Sequence, residues 1–63
     1  MKIRIHNYEN NAARDIDYPG SLSLFLKVHY LSWGFYGVTK TAPNRYAITD
    51  TFTGELVEEI YKI

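Results

Sequence analysis

The sequence predicts a small α+β domain, one helix packed on an antiparallel sheet in the order β-α-β-β-β, and three observations predict it. Residues 1–8 alternate, with Ile3 and Ile5 on one side and Lys2, Arg4, His6 and Tyr8 on the other, the period of a half-buried strand. Leu22, Phe25, Leu26, His29 and Trp33 then recur at helical spacing. From Phe35 onward β-branched and aromatic residues return in runs broken by Ala42-Pro43-Asn44 and Phe52-Thr53-Gly54, which read as reversals between strands. A chain of 63 residues has room for one core, so residues 1–63 are expected to form a single compact domain.

The elements follow in order. Met1 to Tyr8 is the first strand. Asn7 to Gly20 lacks sustained periodicity and is rich in Asn, Asp and a Pro19-Gly20 pair, so it reads as a connection with turn chemistry. Ser21 is placed to accept hydrogen bonds from the free amides of a helix start, and Gly34 to end the helix in a left-handed conformation, which predicts a helix over 21–33. Its other side is also apolar, with Leu24, Val28 and Leu31, and a helix apolar on two sides calls for a cover on both. Residues 35–41 and 45–51 form a predicted hairpin. Residues 55–63 return as a last strand, although Leu56, Val57, Ile60 and Tyr61 would equally line one side of a helix.

Composition bounds the function. Apolar residues make up 46% of the chain, enough for a packed core. At this length the core is marginal, and small domains usually add disulfides, a metal or a second subunit. There is no cysteine, which excludes disulfides and thiolate zinc sites and leaves homodimer formation as the expected remedy. Seven basic and seven acidic residues cancel, against the net positive charge that nucleic-acid binding draws on. Met1 leads at once into Lys2-Ile3-Arg4-Ile5 rather than an apolar signal core, and the stretch from Leu22 to Val38 is too short and too polar to span a bilayer. A cytoplasmic chain with no membrane partner is expected.

Catalytic chemistry finds no motif. Ser21, Ser23 and Ser32 all fall in the predicted helix, without the Gly-x-Ser-x-Gly turn that exposes a nucleophile. Neither a dinucleotide fingerprint nor a phosphate loop is present. His6 and His29, with Asp15 and Asp17 between them, lack metal-ligand spacing, and Glu58 and Glu59, adjacent on a strand, must point to opposite faces. The expectation is no enzyme, no metal and no cofactor.

Six tyrosines, three phenylalanines and one tryptophan exceed what so small a core encloses, and rigid amphipathic rings concentrate at protein contacts. Tyr18, Tyr30, Trp33, Phe35 and Tyr36 are therefore the predicted interaction surface, with one of Phe35 and Tyr36 turned away from the core. The expected function is that of a small, non-enzymatic, homodimeric protein-binding module that contacts and inhibits a larger protein. Chains this short are common among phage and mobile-element accessory factors, which would place it in a host cytoplasm. The alternative is a small nucleic-acid-binding regulator using Lys2, Arg4, Lys40 and Arg45 beside aromatic residues.

Overall fold

A computed structural model describes residues 1–63, the side chain of Trp33 excepted. Five strands, β1 (Lys2–Asn7), β2 (Ala12–Asp17), β3 (Tyr36–Ala42), β4 (Arg45–Asp50) and β5 (Leu56–Lys62), form one antiparallel sheet in the spatial order β2-β1-β5-β4-β3. The helix α1 (Leu22–His29) and a 3-10 turn (Leu31–Trp33) connect β2 at one edge to β3 at the other. The fold class is the predicted one, a helix on an antiparallel sheet, and residues 56–62 are strand rather than helix.

The sheet has a fifth strand where the sequence reads as a connection. Asn7 Oδ1 accepts from the Glu9 amide at 2.8 Å, Asn10 Oδ1 accepts from the Ala12 amide at 3.0 Å, and Asn11 adopts φ 54°. These local bonds close a turn four residues long, and the chain returns as β2 with Ile3 opposite Ile16 and Arg4 opposite Asp15. β2 holds only one large aliphatic residue, so its intrinsic strand preference is weak. Pairing with β1 and the Arg4–Asp15 ion pair at 2.8 Å supply what its composition lacks.

One face of the sheet carries the core. Ile3, Ile5, Ile48 and Ile60 are essentially inaccessible, and Leu22, Phe25, Leu26 and Tyr30 close over them from α1 and the residue after it. Burial of each such side chain contributes about 1.5–3 kcal/mol before entropy is counted. The period-two pattern of β1 places Ile5 opposite Ile60 in β5, so the two chain-terminal strands meet at the centre. Glu58 and Glu59 do point to opposite faces: Glu58 reaches Tyr30 beneath the helix and Glu59 reaches Arg45 on the other side.

The helix begins as predicted, with Ser21 Oγ accepting from the Leu24 amide at 3.1 Å. It ends four residues early. Tyr30 leaves helical geometry at φ −127°, ψ −56°, and the 3-10 turn runs on to Gly34, whose φ of 75° is the left-handed conformation expected of it.

Candidate interaction site

The site lies at the C-terminal end of α1, where the chain leaves helical geometry at Tyr30 and side chains from both edge strands, β2 and β3, meet those of the helix. Tyr30 turns into the core there, 7% exposed, and its hydroxyl donates to Glu58 Oε1 at 3.0 Å. Burial and the adjacent Glu58 carboxylate hold the Tyr30 phenol well above its ordinary value.

Beside Tyr30 lies a cleft of about 520 Å³ bordered by Arg14, Phe25, His29, Tyr30, Phe35 and Tyr36. Its rings form a connected series. Tyr18 packs edge-on against Phe25 at 5.1 Å between centroids, Phe25 lies 4.5 Å from His29 and 6.1 Å from Tyr30, and Tyr30 meets Tyr36 edge-on at 5.6 Å. A smaller hollow of about 290 Å³ adjoins it through Arg14 and is bounded by Asn7, Asn10 and Glu58. Arg14 makes no ion pair among the described residues, whereas Arg4 and Arg45 each have a carboxylate partner.

Two apolar features face outward. Leu24, Val28 and Leu31, at positions i, i+4 and i+7, are 46%, 49% and 52% exposed. Phe35 is 55% and Phe52 83% exposed. The Phe35 carbonyl accepts from both the amide and the hydroxyl of Thr51, at 3.2 and 3.1 Å, which ties the backbone next to Phe52 to that of Phe35. Asp50 Oδ1 accepts from the Phe52 and Thr53 amides and Gly54 takes φ 75°, so Phe52 is displayed on a stitched turn.

The predicted contact residues separate. Phe35, just before β3, is largely exposed, whereas Tyr36 is partly buried and packs against the core. Tyr18 is half-buried on Phe25. Tyr30 departs from the expectation of a surface ring, because its hydroxyl finds a partner in Glu58 that lets the whole side chain enter the core. The Trp33 side chain lies outside the described residues. Phe52 and Arg14 were missed; an aromatic residue inside an otherwise polar turn was the available signal for Phe52.

The alternative cationic set does not share one face. Lys2, Arg4 and Arg45 stand on the helix-free side, while Lys40 sits opposite Tyr46 on the helix side. Arg4 bonds Asp15 through Nε and Nη2, and Arg45 bonds Glu59 and lies over the Tyr61 ring at 4.6 Å. The Asp15 carboxyl is held below its usual range mainly by the Arg4 hydrogen bond. Among the described residues no group of three or more His, Asp or Glu is placed to hold a metal, and no helix is long and apolar enough to cross a membrane. No protein-family model matches the chain, and neither does any curated protein or solved structure.

Proposed function

We propose that the chain is a small protein-binding module without catalytic chemistry, which pairs with a second copy of itself and acts by occupying the surface of a larger protein. The observation that carries the reading is the exposed Leu24-Val28-Leu31 stripe on α1 and the turn after it. Single exposed apolar residues are ordinary, but two of them one turn apart on α1 and a third in the turn just after it make an apolar line. A line of this kind on one copy fits the same line on another across a two-fold axis. A stable interface buries about 800 Å² per partner, which draws in the polar residues that flank the stripe. Phe35 and Phe52 remain for the larger protein, and steric occupation by two rigid rings is the means by which such an accessory factor would inhibit.

Sedimentation velocity at high micromolar concentration tests the self-pairing. The expected species has twice the 7.3 kDa chain mass, and the double variant Leu24→Glu, Leu31→Glu sediments as a single chain with an unchanged circular-dichroism spectrum. A wild-type protein that stays at 7.3 kDa removes the pairing. For the larger partner, a pull-down from source cells read by mass spectrometry should recover one specific protein that Phe52→Ala fails to hold. The nucleic-acid alternative draws no support from a cationic set that is split between faces and half neutralised.

A further inference from the structure

We infer that the cleft at the end of α1 is a binding site for an aromatic carboxylate, with the ring held among Phe25, Tyr30 and Tyr36 and the anion on the Arg14 guanidinium. Its volume of about 520 Å³ lies in the range of small-molecule pockets, which combine mostly apolar walls with a few placed polar groups. The buried rings of Phe25 and Tyr30 form its inner side, and half-buried Tyr36 stands edge-on to Tyr30. A flat ring entering there finds the tilted and edge-on neighbours that aromatic pairs prefer.

The charge is as selective as the shape. Arg14 and His29 belong to the lining, and among the described residues no carboxylate does. Glu58 lies in the adjoining hollow, which Arg14 also borders, and its Oε1 already accepts the Tyr30 hydroxyl. Both Arg4 and Arg45 are matched by acids within the fold. Arg14 is the exposed arginine left over, and a guanidinium takes a carboxylate through two parallel hydrogen bonds.

Such a ligand comes as a free aromatic acid or as the C-terminal aromatic residue of a polypeptide, and one titration series separates them. ¹⁵N-labelled protein is titrated with 3-phenylpropionate, with its uncharged amide, and with the peptide Gly-Gly-Gly-Phe bearing a free carboxylate. The acid should shift the amides of His29, Tyr30 and Tyr36, and the amide derivative should bind about tenfold more weakly or worse, the loss expected for one charge-assisted contact. Tighter binding of the peptide assigns the site to a chain terminus, and tighter or equal binding of the acid assigns it to a small molecule. Arg14→Gln should abolish the preference for the acid, while Arg45→Gln, on the other face, leaves it intact. Equal shifts from the acid and its amide, or no shifts at millimolar acid, would overturn the site. Because each variant is read by its own spectrum, loss of fold is distinguished from loss of binding, and the result is independent of self-pairing.

Discussion

Tyr30 joins the core, the cleft and the response to pH. Its phenol is held above the ordinary value near 10, so between that value and the folded one the unfolded chain releases a proton that the native chain keeps. Stability from this group is therefore complete below about pH 10 and falls as pH rises through the folded value. Urea titrations from pH 7 to 11 should show a decline that Tyr30→Phe largely removes. The same variant should lose about 1 kcal/mol at neutral pH, from the missing bond to Glu58. At the acid end the sign reverses. Asp15 is held low by Arg4, so its contribution is present above about pH 4 and is lost as pH falls through the lowered value. Both side chains of the pair remain well exposed to solvent, so Arg4→Gln should flatten the acid limb only slightly.

At the scale of elements, the local rules that hold are those with a dedicated side chain. Ser21 caps α1 through the Leu24 amide, and Ser21→Ala should cost about 1 kcal/mol, read as a drop of roughly 4–8 °C in Tm for a domain of this size. Gly34, the Pro43-Asn44 reversal and the alternation of β1 were legible for the same reason: each is fixed by residues close in sequence. β2 was not legible, because Ala12, Ala13, Asp15 and Asp17 state no preference, and only register with β1 makes them a strand. The early end of α1 was hidden by the same cause. The partner that draws the Tyr30 ring inward, Glu58, is 28 positions away. The candidate site inherits that limit. The second apolar side of the helix could be read from spacing, as could the exposure of one of Phe35 and Tyr36 though not which, whereas the cleft depends on where the helix stops and on β2 bringing Arg14 to it.

The whole molecule is organised by placing its first and last strands at the centre of the sheet. Ile5 faces Ile60, nearly the full length of the chain away, and Ile3 and Ile48 complete a core from β1, β4 and β5. β2 and β3 are the edges, each paired on one side only. Opening of either edge exposes few buried aliphatic side chains, but separating β1 from β5 opens the core itself, so the strands should differ in the free energy at which they release their amides. Native-state hydrogen exchange is expected to give the slowest amides in β1, β4 and β5, exchanging only with global unfolding. The ladder amides of β2 and β3 should exchange earlier. An Ile60→Ala variant, losing about 2–5 kcal/mol, should bring the slow class down by that amount and leave the edge amides nearly unchanged, because their openings do not pass through the global transition. If all five strands exchange at one free energy, the edges are held by something beyond the sheet.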